Sequence, residues 1–250
     1  MIITIADQKG GVGKSTTAAA LAQGLTYTHK RKTALLIDAD AQGTATKSIY
    51  GTTADNGGLY DVLHGAPPED LIQTTPAGDI LPYSPELAAL DLELIDNDNR
   101  DKLIKEAITP LRAKYDYMII DTAPGLSTTL AQALSASDLV IIPLQAAPAA
   151  IDGLEAIINT ARDVKKYVNK DLRIGGALLT QYNVRANLTR QYEALIGNIC
   201  ASLKVKLLDT RIRQGIAIQE AQALKQSLYD YAPKSKPAAD YLSLIKELKL

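Results

Sequence analysis

The stretch that decides the fold is Lys9-Gly10-Gly11-Val12-Gly13-Lys14-Ser15-Thr16, which follows the apolar run Ile2–Ala6 and precedes an Ala- and Leu-rich segment. Glycines let successive backbone N–H groups point into one concavity, and a helix start adds the positive end of its dipole. The stretch therefore predicts a phosphate-binding loop between a strand and a helix. The simpler alternative, a glycine turn with a surface lysine, is disfavoured by the strand and helix patterns on either side.

The loop also predicts how its side chains would bind a magnesium nucleotide. The Lys14 ammonium can reach the β- and γ-phosphates, the Ser15 hydroxyl can bind Mg²⁺, and Thr16 can approach the α-phosphate. The loop is deviant, because Lys9 stands where the common pattern has its first glycine. The predicted nucleotide-binding residues are Lys9, Gly10, Gly11, Val12, Gly13, Lys14, Ser15 and Thr16.

Carboxylates follow two further apolar runs. Asp38 and Asp40 end the run that begins at Thr33, and Asp121 ends the run that begins at Tyr117. Because ligands of open α/β sheets bind beyond the carboxyl ends of the strands, we expect the three carboxylates to converge on the loop. Each could instead cap the turn or helix that follows it. Three such residues after a phosphate loop favour metal and water positioning.

These motifs resemble those of one family. The segments Gln8–Thr16, Asp38–Thr46, Ile120–Pro124 and Asp138–Pro143 are similar to the ParA/Soj branch of the ParA/MinD family of deviant Walker ATPases. The resemblance covers nearly the whole chain. It implies a Mg²⁺-dependent ATP hydrolase that is slow without a partner and forms an ATP-dependent homodimer, and it is also the basis for ATP as the nucleotide.

The resemblance assigns roles to the charged residues. Lys9 would be the signature lysine that reaches the nucleotide of the partner subunit, and Asp40 would position or activate the attacking water. Asp121 would hold Mg²⁺ through water, and Asp38 would support the loop or the metal. The expected catalytic residues are Lys9, Lys14 and Asp40, and the expected metal residues are Ser15, Asp38 and Asp121.

Three residues depart from the family pattern. Asp7 stands where asparagine is usual, Ala41 where proline is usual, and Thr44 where asparagine is usual. A carboxylate at Asp7 could weaken nucleotide affinity or tune Lys9, or it could face solvent. None of the three changes removes a group that the mechanism requires.

Length and periodicity predict one domain over residues 1–250, and the resemblance implies that it is an ATPase domain. Apolar runs near 2–6, 33–37, 117–120, 139–143 and 173–180 alternate with helical patterns near 14–28, 98–114, 126–136, 150–168 and 187–202. This alternation predicts a doubly wound, mostly parallel sheet with helices on both faces, as in a deviant P-loop NTPase. Between 44 and 95 the pattern is irregular, and 57–63 and 87–93 are predicted to be helical.

The cysteine count and the hydropathy of the chain narrow the class of protein and its location in the cell. A single cysteine, Cys200, excludes an internal disulfide and disfavours the iron–sulfur relatives of this family, which need cysteine pairs. The N-terminus leads directly into the first strand, and no apolar run approaches a membrane-spanning length. We therefore expect a cytoplasmic protein.

Charge is distributed unevenly along the chain. The net charge is −1, but residues 1–150 carry −7 and residues 151–250 carry +6. Such asymmetry is typical of an electrostatic footprint at one end of a domain. The resemblance to Soj-like proteins implies that this footprint binds double-stranded DNA through phosphates without sequence preference, and hence a nucleoid association. Ordinary solvated lysines are the alternative for any one residue. The predicted DNA-binding residues are Arg185, Arg211, Arg213, Lys225, Lys234 and Lys236.

The favoured reading is a ParA-like ATPase of plasmid or chromosome partitioning, whose hydrolysis is stimulated by a ParB-type centromere-binding protein. A MinD-like membrane-associated ATPase is the alternative, since residues 239–250 are amphipathic. We favour a helix docked on the core, because Leu242, Ile245 and Leu248 lie at helical spacing and no bulky aromatic anchor accompanies them beyond Tyr241. A non-hydrolytic nucleotide switch stays open, although the presence of both Lys9 and Asp40 favours hydrolysis.

Overall fold

The computed structural model describes residues 1–94, 101–148 and 150–250. The strands are β1 (Ile2–Ile5), β2 (Ala34–Ala39), β3 (Gln73–Thr75), β4 (Gly78–Leu81), β5 (Tyr117–Thr122), β6 (Leu139–Leu144), β7 (Arg173–Tyr182) and β8 (Leu207–Arg213). The α-helices are α1 (Lys14–Thr28), α2 (Leu59–Leu63), α3 (Pro68–Leu71), α4 (Leu90–Glu93), α5 (Leu103–Ile108), α6 (Thr128–Ala136), α7 (Ala150–Tyr167), α8 (Asn187–Ser202), α9 (Ile216–Ala223), α10 (Leu228–Tyr231) and α11 (Lys236–Leu248). A π-helical turn spans Ala45–Tyr50, and 3-10 turns span Pro85–Ala89 and Thr109–Ala113.

The strands form one sheet in the order β3-β4-β2-β5-β1-β6-β7-β8 within the described ranges. All pairings are parallel except that of β3 with β4. Helices α1 and α11 pack on one face, while α5, α6, α7 and α8 pack on the other. Burial on both faces explains why the central strands are continuous apolar runs, and it confirms the predicted doubly wound architecture.

The five predicted strands are present, and the structure adds three that the sequence pattern missed, β3, β4 and β8. Four of the five predicted helices, α1, α6, α7 and α8, agree to within two residues. The fifth, predicted over 98–114, is split into α5 and a 3-10 turn, and its first three residues lie outside the described ranges. Pro110 explains the split, because it cannot donate the backbone hydrogen bond of a continuing α-helix.

Helix α11 is docked along the edge strand β8. Its apolar residues Ala238, Tyr241, Leu244 and Ile245 are buried in the core with at most 1% exposure. Near the end of the helix, Glu247 accepts hydrogen bonds from the backbone N–H groups of Asp209 and Thr210 in β8, at 2.7 and 2.8 Å. Among the described residues, no helix combines the length and hydropathy that crossing a membrane requires.

Candidate functional site

The predicted site residues meet at the carboxyl ends of the central strands. In the sheet register, Asp121 of β5 lies beside Asp38 of β2 on one side and Ile5 of β1 on the other. The glycine loop that follows β1 therefore passes directly over the two carboxylates. A cavity of about 420 Å³ opens here, lined by Gly10, Gly11, Gly13, Lys14, Ser15, Thr16, Asp40, Gln42, Thr44, Pro124 and Gln181.

The loop has the backbone conformation of an anion cradle. Gly11 and Gly13 have φ angles of +75° and +87°, a left-handed region that residues with a Cβ enter only at a cost. Helix α1 begins at Lys14, directly after Gly13, so its N-terminal N–H groups face the cavity. The Lys14 ammonium is buried and donates to the backbone carbonyl of Lys9 at 2.8 Å, whereas the Lys9 side chain is exposed.

Burial lowers the pKa of Lys14, and the carboxylates of Asp7, Asp121 and Asp40 partly oppose that effect. The ammonium is thus a desolvated cation among anions. An anionic phosphate placed in the cavity would offer this ammonium a charged acceptor in place of the neutral Lys9 carbonyl.

Asp121 carries two unsatisfied acceptors. The residue is fully buried, and neither of its carboxylate oxygens has a hydrogen-bond partner. Burial raises the pKa of Asp121 well above its ordinary value, with repulsion from Asp38 next in importance, while the nearby Ser15 hydroxyl and Lys14 lower it. Buried polar atoms without partners are rare and indicate an ion or water that completes them.

Asp38 is equally buried but is fully engaged. Its carboxylate accepts hydrogen bonds from the Thr46 N–H at 2.9 Å, the Thr46 hydroxyl at 2.7 Å and the Asp40 N–H at 3.2 Å. Burial raises the pKa of Asp38 to about 6, although the bonds from Thr46 work against the rise. These contacts anchor the π-helical turn after β2, so Asp38 suits the role of loop support better than that of a direct metal ligand.

Asp40 stands at the cavity wall with one oxygen occupied. Its Oδ1 accepts from the Gln42 N–H at 2.9 Å, which fixes the turn after β2. The donor set around the loop therefore fits Mg²⁺, a hard cation that prefers carboxylate and hydroxyl oxygens. Ser15 and the orphaned Asp121 carboxylate are the groups that would hold it.

A second cavity of about 200 Å³ adjoins the first. It is lined by Gly13, Thr16, Thr180, Gln181, Ile212, Arg213, Gln214, Gly215, Ile218, Gln219, Gln222 and Tyr241. Three residues, Gly13, Thr16 and Gln181, line both cavities. Arg213 is held there by Asp240 of α11, which accepts from its backbone N–H at 2.9 Å and from its guanidinium at 2.5 Å.

The sequence pattern missed several of these residues. Gln145, Gln181 and Thr180 contact the loop from the ends of β6 and β7, and the carboxyl-end rule could have identified them. The solvent-facing alternative for Asp7 is wrong, since this residue is only 3% exposed. Burial raises the pKa of Asp7 to about 6, against the attraction of Lys14.

The six predicted DNA-binding residues fall into two groups. Arg211 pairs with Glu193 at 2.6 Å, Arg213 pairs with Asp240, and the Lys225 ammonium donates to the carbonyls of Lys47 and Ser48 at 3.1 and 2.6 Å. These three cations are partly buried and stabilise contacts between segments that are distant in the sequence. The other three, Arg185, Lys234 and Lys236, are exposed.

The exposed group lies at one end of the sheet. Tyr182, three residues before Arg185, is the register partner of Arg213 in β8. A Cβ on Gly215, two residues after Arg213, would lie 2.7 Å from Pro237, the residue that follows Lys236. Arg185 and the turn that carries Lys234 and Lys236 therefore both flank the carboxyl ends of β7 and β8, beside the second cavity.

A family model described as an AAA domain matches residues 1–174. The sporulation initiation inhibitor protein Soj of Bacillus subtilis is 38% identical over 99% of this chain and 97% of its own length. The chromosome partitioning protein ParA of Myxococcus xanthus is 36% identical over 99% of this chain and 87% of its own.

Solved structures agree with this relationship. The cobyrinic acid a,c-diamide synthase of Mycobacterium smegmatis with bound ATP analog and magnesium superposes with a TM-score of 0.84, at 29% identity, over 98% of this chain and 92% of its own. The septum site-determining protein MinD of Pyrococcus horikoshii, complexed with Mg-ADP, gives a TM-score of 0.76 at 28% identity, over 99% of this chain and 95% of its own.

Proposed function

The chain belongs to the ParA/Soj-type partition ATPases, which are ATP hydrolases using ATP and Mg²⁺, and from this premise we propose that it binds double-stranded DNA without sequence preference as an ATP-bound dimer. The observation that carries the proposal is the meeting of three features at one end of the sheet. These are the glycine loop with its buried Lys14, the orphaned Asp121 carboxylate, and the exposed cations that flank β7 and β8.

The nucleotide occupies the two adjoining cavities, with its phosphates on the loop and its base between β7 and the start of α9. Backbone N–H groups of residues 10–16 bind the phosphate oxygens, and Lys14 moves its ammonium from the Lys9 carbonyl toward the β- and γ-phosphates. Asp40 orients the attacking water and accepts its proton. When bound, Mg²⁺ neutralises charge on the transferring phosphate oxygens, and Ser15 and Asp121 hold it.

Lys9 is the residue that makes hydrolysis depend on assembly. Its exposed side chain extends from the loop, and a Cβ on Gly10 or Gly11 would meet no atom within 4 Å, so this rim of the loop is open to an approaching second copy. Two subunits joined through their loops each present Lys9 to the other's phosphates. A cation delivered in this way stabilises the charge of the transition state only in the dimer.

Dimerisation also accounts for nucleotide-dependent DNA binding. Each subunit contributes Arg185, Lys234 and Lys236 near the face that carries the nucleotide, so joining two subunits doubles the phosphate contacts on one surface. We propose these three as direct DNA contacts. The sequence also predicted Arg211, Arg213 and Lys225 as DNA-binding residues. Because these three are engaged with protein partners, they would shape the surface rather than contact DNA phosphates directly.

The remaining features of the proposal follow from the family. Residues 1–250 act as one ATPase domain, the DNA-bound dimer associates with the nucleoid, and a ParB-type partner triggers hydrolysis and release. The membrane alternative finds little support in α11, since insertion would require Tyr241, Leu244 and Ile245 to leave the core.

The deciding experiment measures binding to duplex DNA of arbitrary sequence without nucleotide, with ADP, and with ATP plus Mg²⁺, at about 50 and 200 mM salt. Anionic liposomes are run in parallel. We expect DNA binding only with ATP, and a steep loss of affinity at the higher salt. Liposome binding without DNA binding would replace the proposal with a MinD-like role.

A matched pair of charge reversals locates the DNA surface. Arg185→Glu should weaken DNA binding about tenfold and reduce the slope of log affinity against log salt by about 0.9 per lost phosphate contact. Lys30→Glu makes the same change in net charge in the exposed loop between α1 and β2, at the opposite end of the strands, and should leave both quantities unchanged. Equal losses in the two variants would contradict a localised surface.

A further inference from the structure

Two glutamines converge on one carbonyl of the phosphate loop. Gln145, directly after β6, donates its Nε2–H to the backbone oxygen of Gly11 at 3.1 Å. Gln181, near the end of β7, donates its Nε2–H to the same oxygen at 2.7 Å. A carbonyl oxygen has two lone pairs, so both acceptor sites of Gly11 are filled by side chains from neighbouring strands.

The next carbonyl of the loop is held from the same side. The Thr180 hydroxyl lies 2.7 Å from the backbone oxygen of Val12 and 3.2 Å from that of Leu144. In a trans peptide the C=O and the following N–H point in opposite directions. Holding the carbonyls of Gly11 and Val12 against β6 and β7 therefore directs the N–H groups of Val12 and Gly13 to the other side of the loop.

Gln181 holds its position in a strained backbone conformation. Its φ angle is +48°, in the left-handed region, where a residue with a Cβ is strained. The other described non-glycine residues with positive φ, Lys204, Lys225 and Lys249, follow the ends of helices, where this conformation is usual. Gln181 instead lies inside a strand, beside both nucleotide cavities.

We propose that Gln145 and Gln181 are positioning residues that clamp the Gly11–Val12 peptide in the orientation that receives phosphate. Without the clamp, rotation of this peptide would turn the Gly11 carbonyl toward the phosphate oxygens, where the two acceptors repel. The inference rests on the phosphate site proposed above. Neither glutamine needs to touch the reacting atoms.

Methionine substitutions test the clamp, because methionine has a length close to that of glutamine and no N–H donor. In Gln145→Met and Gln181→Met the affinity for Mg-ADP, measured by calorimetry, should fall about fivefold each, and in the double variant about twentyfold. Inorganic pyrophosphate with Mg²⁺ should lose affinity by the same factors, since the effect is on the phosphates. The exposed Gln191→Met on α8 is the control and should match the wild type.

Turnover separates positioning from general damage. The clamp acts on bound phosphates alike in the ground and transition states, so KM for ATP should rise while kcat at saturating ATP stays within about twofold. The unfolding midpoint without nucleotide should also stay near that of the wild type. A double variant that binds Mg-ADP within twofold of the wild type, or one whose loss lies in kcat alone, would overturn the inference.

Lys14→Ala distinguishes a failure of the phosphate site from a failure of the glutamine clamp. If Lys14→Ala binds Mg-ADP as the wild type does, the phosphate site itself is misplaced. If Lys14→Ala loses binding while the methionine variants keep it, only the clamp is wrong. Should the double variant unfold below the assay temperature, the single variants decide by the same affinity criterion, because each retains one of the two donors.

Discussion

Replacing Asp121 by asparagine should stabilise the nucleotide-free protein and at the same time destroy its response to nucleotide. In the present arrangement this carboxylate is fully buried, faces Asp38 across the sheet, and has no hydrogen-bond partner on either oxygen. Ionised, it is a buried charge whose desolvation the nearby Lys14 offsets only in part, since the pKa of Asp121 stays well above its ordinary value. The amide removes the charge and the repulsion while keeping the shape of the side chain.

The substitution should raise the stability of the nucleotide-free protein and lower the stabilisation that Mg-ATP provides. Relief of the buried charge should add about 1–2 kcal/mol to the free energy of unfolding, which raises the unfolding midpoint by about 2–8 °C for a chain of this length. Mg-ATP at a hundred times its dissociation constant should add about 2.7 kcal/mol to the wild type. In Asp121→Asn most of that gain should disappear, because a neutral amide attracts Mg²⁺ and its bound water much less strongly than a carboxylate does.

Asp38→Asn is the matched control, since Asp38 is buried to the same extent and is the register neighbour of Asp121. Its carboxylate accepts three hydrogen bonds, two from Thr46 and one from the Asp40 N–H. Asparagine replaces one of the two accepting oxygens by an NH₂ group, which would face the N–H or O–H donors that the carboxylate accepts from. We therefore expect the same substitution here to lower stability by about 1–3 kcal/mol.

Thermal unfolding of the wild type, Asp121→Asn and Asp38→Asn is monitored by circular dichroism with and without Mg-ATP. It measures both the stability of each nucleotide-free protein and its stabilisation by nucleotide. We expect the unfolding midpoints of the wild type and Asp121→Asn to exchange order when nucleotide is added. A fall in the nucleotide-free midpoint of Asp121→Asn would show that its carboxylate is satisfied. An undiminished shift with Mg-ATP would remove Asp121 from the metal site.

Other predictions test separate parts of the molecule. Asp40→Ala should bind ATP and dimerise but lower phosphate release by about a hundredfold, and turnover within threefold of wild type would exclude it as the water-positioning residue. Lys9→Ala should still bind ATP but lose most of its turnover under conditions in which the wild type is dimeric, whereas wild-type turnover in this variant would contradict the role of this lysine. Leu244→Ala, at a fully buried position of α11, should cost about 3 kcal/mol of stability; an unchanged unfolding midpoint would mean that the helix is not docked. Burial alone would raise the pKa of Glu247, but hydrogen bonds from Lys206 and from Asp209 and Thr210 in β8 lower it to about 2, below its ordinary value of 4.5. Its contribution to stability is therefore complete above pH 4.5 and is lost as the pH falls toward 2. Glu247→Gln should flatten this acid limb of the stability profile, and an identical limb in both proteins would refute the assignment.

The sequence predicted the central strands because they are buried on both faces and therefore apolar throughout. β3, β4 and β8 lie at or near the two edges of the sheet, where one side of the strand is exposed and the apolar run is broken. Missing β8 had a consequence for the site. Arg211 and Arg213 looked like free surface cations, because their partners Glu193 and Asp240 are 18 and 27 residues away in the chain.

The residues of the candidate site were predictable where they directly follow a strand in the sequence. The glycine loop and the aspartates after β2 and β5 follow their strands directly, and the parallel topology brings them together. The difference between Asp38 and Asp121 was not predictable, because it depends on whether Thr46 folds back onto the carboxylate. Likewise, nothing local shows that Gln145 and Gln181 reach the same carbonyl.

The way Glu247 covers β8 limits the forms of assembly open to this chain. An edge strand offers unpaired N–H groups to which a strand of another molecule can add. Here the carboxylate occupies two of these groups, and the opposite edge, β3, is only three residues long. The sheet therefore resists extension from either side, and we expect any higher-order polymer of this ATPase to grow by side-chain contacts between whole subunits rather than by cross-molecular strand addition.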